Sequence, residues 1–239
     1  MIKKIINQKG KLDEELINMI KTNFVFNNSP INRLNIIKNN NVQHSTNKAE
    51  ALLDLKKKID SIKNCNLQDN SKNIIMGEGE IDSQIMIIGE APGIEEDKSS
   101  KVFQGEIGSL LDKMLMAIEI KRKNTYCTYA VNFRPLKDQK PTTQEIKRYS
   151  TFLKEHIAII NPKIVVLMGA SAMEAVTGIR GKVSLERGKW NELILKNITY
   201  PVMITFNPSY LIRFPENKKF SWEDLKKIRQ KIKDLNLKV

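Results

Sequence analysis

The sequence has little cysteine. Only Cys65 and Cys127 occur in 239 residues, so at most one disulfide can form, and a disulfide-stapled scaffold is excluded. The simplest reading is a reduced, cytoplasmic protein. Long apolar runs are also missing. None approaches the ~18–20 residues that span a bilayer, and the opening stretch, MIKKIINQKGKLDEELINM, lacks the apolar core of a secretory signal. No membrane contact is expected. Acidic residues fall short of basic ones, 27 against 40, which leaves a net charge of +13. Such a surplus favours polyanionic partners. A chain rich in Lys, Ile and Asn also fits a codon bias toward A and T, and charge alone leaves both readings open. What remains is ordinary. Hydrophobic residues make up 41% and charged residues 28%, which excludes disorder over the whole chain. The length suits one α/β domain with an appendage.

Residues 1–62 show no convincing strand. Residues 12–24 have helical spacing, and Asn27 to Pro30 and Asn39 to Asn41 are loop-like. A second helix opens near Thr46, with Leu52, Leu53, Leu55 and Ile59 on one side. This region is expected to be a helical extension, with a second domain over 63–239. There, short apolar strands at 85–88, 126–131, 164–168 and 201–206 alternate with helices at 109–118, 142–160, 170–176 and 222–235. The alternation predicts an α/β fold, a mostly parallel sheet between two helical layers. Ligands of such sheets bind beyond the carboxyl ends of the strands. The suspect loops are therefore 89–108, 132–141 and 207–215.

The first loop reads Gly-Glu-Ala-Pro-Gly from Gly89 to Gly93. It has no Gly-Lys-Ser/Thr, so it is not a P-loop, and it lacks the three glycines of a dinucleotide turn. It places a carboxylate, Glu90, at the sheet's edge, where it can orient a water or stabilise a developing cation. Glu95, Glu96 and Asp97 read better as acids at a helix N-terminus. Phe103 either stacks on a planar ligand or belongs to the core. The last loop, Asn207 to Arg213, offers Ser209 and Arg213 to phosphates and Leu211 to a base stack. It also reads as a plain strand-to-helix turn.

Taken together, GEAPG with the following EED, VFQGEIGSLLDKML at 102–115, RP with PTTQEI at 134–146, PKIVVLMGASA at 162–172, RGKW at 187–190 and NPSYLIR at 207–213 resemble family 4 uracil-DNA glycosylases, in order and at about the family's spacing. The resemblance covers roughly 63–235. It implies a three-layer α/β/α sandwich with a short, mostly parallel central sheet. It implies hydrolysis of the N-glycosidic bond of uracil in DNA after the nucleotide is flipped out. Carried over by position, Glu90 would activate water. Backbone at Glu90 and Ala91 would contact uracil, and Phe103 would stack on it. Pro92, Gly93 and Ser209 would pinch the DNA backbone. Leu211 would fill the vacated stack, and Arg187, Lys189 and Arg213 would meet phosphates. The expected partner is uracil-containing DNA, and the expected state is a monomer.

Four positions depart from the family pattern. Asn207 replaces the usual His of the last motif. It can donate a hydrogen bond but carries no charge, so slower chemistry is expected. The remaining histidines, His44 and His156, lie elsewhere. Tyr129 stands where the family has an Asn that reads the uracil edge. Either Tyr129 narrows the pocket, or a three-residue slip brings Asn132 in; the first is favoured. The family's 4Fe–4S cluster needs four cysteines, yet only Cys65 matches a ligand position, with Gln68, Phe133 and Tyr149 at the others. No cofactor and no metal are expected. Finally, the loop after Pro135 differs from the usual Pro-Asn-Arg. The alternative to a glycosylase is a DNA-binding relative with impaired catalysis.

Overall fold

The computed structural model describes residues 40–62, 67–68 and 71–238, with side chains omitted at 40–46 and 137. The helix expected at 12–24 and Cys65 lie outside the described residues.

The centre of the fold is a six-stranded sheet in the order β1-β3-β2-β4-β6-β5. Its strands are β1 (Glu78–Gly79), β2 (Ile85–Gly89), β3 (Tyr126–Tyr129), β4 (Ile164–Met168), β5 (Trp190–Leu195) and β6 (Ile198–Thr205). The inner four, β3, β2, β4 and β6, are parallel. β1 and β5 are antiparallel edges. β2 and β4 are apolar along their whole length because both faces are covered. Alternation then sorts their side chains. Ile85, Ile87, Val166, Met168 and Met203 face one helical layer, while Met86, Ile88, Val165, Leu167 and Val202 face the other.

The first layer holds α3 (Gly105–Met116) and α8 (Lys218–Asp234), and the second holds α4 (Thr143–Ile160) and α5 (Ala170–Thr177), with short helices α2 (Ile94–Ser99) and α6 (Val183–Glu186) in the connections. The sandwich expected from the resemblance is the observed fold. α4 begins with a capping box. The Thr142 hydroxyl accepts from the Glu145 N–H at 3.3 Å, and the Glu145 carboxylate accepts from the Thr142 N–H at 2.7 Å. It stops at Asn161, whose left-handed φ of 53° and following proline end the helix. Two strands escaped the sequence reading. β1 has only two residues, and β5 is joined to β6 by Lys196 and Asn197, both at positive φ, a tight hairpin without the usual glycine.

The described residues from 41 onward form one compact unit. α1 (Asn40–Asp60) belongs to it: Leu55 and Ile59 are buried with Leu67, Val131, Phe133 and Tyr149. Leu53, expected on that apolar side, is exposed.

His156 of α4 is fully buried and 2.9 Å from the Tyr126 hydroxyl. Burial pulls its imidazole down to about 4. The unfolded chain therefore takes up a proton between pH ~6.5 and ~4 that the folded protein refuses. Its contribution to stability is complete above ~6.5 and falls away below it, by ~2 kcal/mol at pH 5. Denaturant midpoints at pH 7.5 and pH 5 should differ accordingly, and His156→Gln should narrow the gap. An unchanged gap in that variant would contradict the assignment.

Candidate active site

The carboxyl ends of β2, β3, β4 and β6 open onto a cavity of about 540 Å³. β2 ends at Gly89, and the next residue, Glu90, turns into the cavity wall. One carboxylate oxygen accepts from the Ser171 N–H at 3.2 Å and lies 3.4 Å from the Ser171 hydroxyl. Both donors sit in the first turn of α5, where the helix dipole favours an anion. The approach is close. A Cβ on Gly169, the residue before α5, would lie 2.4 Å from the Glu90 carboxyl carbon, and Gly169 itself has a φ of +103°. Only glycine meets both demands.

Across the cavity is Phe103. It is buried and holds a left-handed φ of +48°, which is costly for an aromatic residue. Three elements fix it there. Its N–H donates to the Tyr129 hydroxyl at 2.8 Å. Arg122 donates to the Phe103 carbonyl at 2.9 Å and to that of Val102. Gly108 in α3 leaves room for the same carbonyl, since a Cβ there would lie 1.9 Å from it. The Tyr129 ring lies 4.9 Å from the Phe103 ring at 44°. Desolvation, with help from the nearby Glu96 charge, raises the Tyr129 phenol well above its usual range, so it stays protonated. Ladder pairing aligns Gly89 with Tyr129. Asn132 lies elsewhere, with its amide donating to the Ile75 carbonyl at 2.9 Å. The three-residue slip does not occur.

Pro92, Gly93, Ala91, Ser209, Asn207 and Arg213 line the same cavity. Asn207 caps the short helix α7 (Pro208–Arg213). Its side-chain oxygen accepts from the Ser209 N–H at 3.0 Å, and its amide donates to the Met168 carbonyl at 3.3 Å. One amide hydrogen is left over from these bonds. The neighbouring acids have structural tasks. The Glu96 carboxylate accepts from the N–H groups of Gly93 and Gln104 at 2.9 and 2.8 Å. The Asp97 carboxylate accepts from Ser71, Lys72 and Asn73.

Three expected site residues are placed elsewhere. Leu211 packs in the core under α7 and, unlike Phe103, does not line the cavity, so it is not poised as a wedge. Arg187 is spent on Asp224: its Nε donates to that carboxylate at 2.9 Å, and Thr205 donates to the same group at 2.7 Å. Burial raises the Asp224 carboxyl and the Arg187 guanidinium opposes the shift. Arg187 therefore ties the turn before β5 to α8 and does not await a phosphate. Lys189 is exposed and donates to the Leu185 carbonyl at 2.9 Å, outside the cavity. The sequence reading missed Ser171 and Gly169. The turn after β4, a central parallel strand, was the available signal.

The positions that would hold a four-cysteine cluster do not suit one. Phe133 and Tyr149 are buried, ring against ring at 6.2 Å, and Gln68 donates to the Asp60 carbonyl at the end of α1 at 2.8 Å. Among the described residues, no three His, Cys, Asp or Glu side chains gather as metal ligands, and no helix is long and apolar enough to cross a membrane.

The profile of the uracil DNA glycosylase superfamily matches residues 76–229, which contain Glu90, Phe103, Tyr129 and Asn207. A type-4 uracil-DNA glycosylase of Thermotoga maritima is 36% identical over 172 residues, 71% of this chain and 88% of its own. One of Sulfurisphaera tokodaii is 33% identical over 193 residues, 76% of this chain and 84% of its own. A type-5 enzyme of Pyrobaculum aerophilum aligns over 43% of the chain at 27% identity. Profile, relatives and sheet topology agree, and the chain belongs to the uracil DNA glycosylase superfamily.

Proposed function

We propose that the protein hydrolyses the bond between uracil, or a related deaminated base, and deoxyribose in DNA, leaving an abasic site. The observation that carries this reading is the Glu90 carboxylate, held by Ser171 in the wall of a cavity whose other side is the immobilised Phe103. A base inside a duplex cannot reach such a cavity, so the nucleotide is extruded and its ring lies against Phe103. The C1′–N1 bond breaks with its electron pair passing to the base. The Glu90 carboxylate faces the cationic sugar and takes a proton from the water whose oxygen bonds to C1′. The leaving base carries its charge on N1 and O2. The remaining Asn207 amide hydrogen is the donor we assign to that charge. Backbone at Ala91, with Tyr129 behind Phe103, shapes the base pocket. Pro92, Gly93, Ser209 and Arg213 at the rim hold the strand.

The test is a single-turnover assay on uracil-containing single- and double-stranded oligonucleotides, read as alkali-labile sites. Strand breaks at the uracil position are expected. Binding without breaks would favour the impaired relative, a reading supported by the capping bonds that occupy most of Asn207. In the same assay Asn207→His should raise the rate about tenfold, because an imidazolium adds charge to the bond with the leaving base. An unchanged or lower rate would show that the donor at this position does not limit the chemistry.

The buried Phe133 and Tyr149 support a fold that needs no iron–sulfur cluster. Purified protein should be colourless, with iron far below one atom per chain by metal analysis. Four iron atoms per chain would contradict this. We take the unit 41–239 as the catalytic body, acting as a cytoplasmic monomer on DNA.

A further inference from the structure

With Leu211 buried, the apolar surface beside the cavity is supplied by other residues. Phe206, just after β6, anchors two arms of adjoining rings and cations. In one, Phe206, Tyr210 and Phe214 follow at intervals of four residues. Successive ring centres are 4.9 Å apart, with planes inclined by 22° and then 40°. In the other, the Arg187 guanidinium lies 5.8 Å from the Phe206 ring and 5.4 Å from that of Phe220. The anchor is 5% exposed, and the outer ends are open, Phe214 at 45% and Phe220 at 41%. The inner end meets the reaction site: Phe206 and Tyr210 line a hollow of about 290 Å³ together with Glu90, Lys182 and Arg213.

A half-exposed ring at the end of a braced column suits a planar ligand. Tyr210 packs against Phe214 at a tilt of 40° and holds its orientation, so little entropy is lost when a second ring lands on its exposed side. The surroundings select the ligand's charge. From 213 to 222 the sequence carries Arg213, Lys218 and Lys219 against a single acid, Glu216. Lys219 reaches over the Phe220 ring at 5.0 Å. Rings interleaved with cations are what an unpaired nucleic-acid strand requires, because each base offers a face and each linkage a charge. Paired bases in a duplex have their faces covered by their neighbours and cannot use the platform.

We propose that Phe214 is a stacking platform for an unstacked nucleobase of the target strand beside the flipped nucleotide, with Lys219 and Phe220 continuing the track. This rests on the glycosylase reading for its place in the reaction, and it makes single-stranded DNA the better ligand for this surface.

The experiment is fluorescence anisotropy with one oligonucleotide lacking uracil, offered as a single strand and as a duplex. Phe214→Ala should weaken single-strand binding about tenfold, with less than a twofold change for the duplex. Phe214→Trp should restore single-strand binding to within twofold. No loss for the single strand, or an equal loss for both forms, overturns the proposal; equal losses would mean that Phe214 enters the duplex as a wedge. The side chain is exposed, so folding should survive. Should Phe214→Ala lose folded protein, Phe214→Leu keeps apolar bulk without a ring and poses the same question. Because this DNA contains no uracil, the result is independent of base removal, and either reading can fail while the other stands.

Discussion

Glu90→Gln should lower the single-turnover rate of uracil removal by ~10²–10⁴, the range of a positioned general base, while the affinity for uracil-containing DNA stays equal or improves. The substitution is nearly isosteric. The remaining side-chain oxygen still accepts from the Ser171 N–H, which now lies 3.2 Å from the carboxylate, so the cavity keeps its shape. Two properties are lost: the negative charge that faces the sugar cation and the base that takes a proton from water. Both act on the transition state alone, so the loss falls on the rate and not on binding. Removing one negative charge from a DNA-binding surface does not weaken its hold on phosphates. A rate within threefold of the parent would place the catalytic group elsewhere.

The second large effect is expected at a residue that touches no substrate. Gly169→Ala should reduce the same rate by about 10²-fold or more. The new methyl carbon would lie 2.4 Å from the Glu90 carboxyl carbon and 2.7 Å from one of its oxygens. Backbone contacts fix residue 169, whose N–H donates to the Thr205 carbonyl at 3.0 Å. The flexible carboxylate therefore gives way. Displacement by ~1 Å is enough to cost two orders of magnitude. The φ of +103° adds strain for any side chain, of order 1–3 kcal/mol, so a lower melting temperature should accompany the loss. Combining the two substitutions separates the causes. If Gly169→Ala acts through Glu90, it should cost Glu90→Gln little further activity. Fully multiplicative losses would contradict that route.

The legible parts of this protein were those whose physics is local. The uninterrupted apolar runs of β2 and β4 announced strands buried on both faces, and Pro141 and Asn161-Pro162 bracketed α4. Glu90 was legible because it follows directly on such a strand. Partners far apart in sequence were not. Arg187 looked like a free cation because Asp224 stands 37 residues away. Leu211 looked like a wedge because six residues of α7 do not reveal which side meets the core. Tyr129 was read as a pocket-narrowing side chain. Its hydrogen bond to the Phe103 N–H, across 26 residues, makes it also a brace for the stacking ring. Ser171 carried no signal of its own; its value comes from the crossing of the turns after β2 and β4 at one point of the sheet.

The proposed activity requires that the glycosidic bond be the one that breaks. The most direct measurement is chromatographic quantification of free base and abasic sites after excess protein acts on a uracil-containing single strand. One free uracil per abasic site, with the phosphodiester chain intact before alkali and with neither product from Glu90→Gln on the same timescale, is the expected result. Firm binding to that strand with no free uracil, or release that persists unchanged in the Glu90 variant, would contradict it.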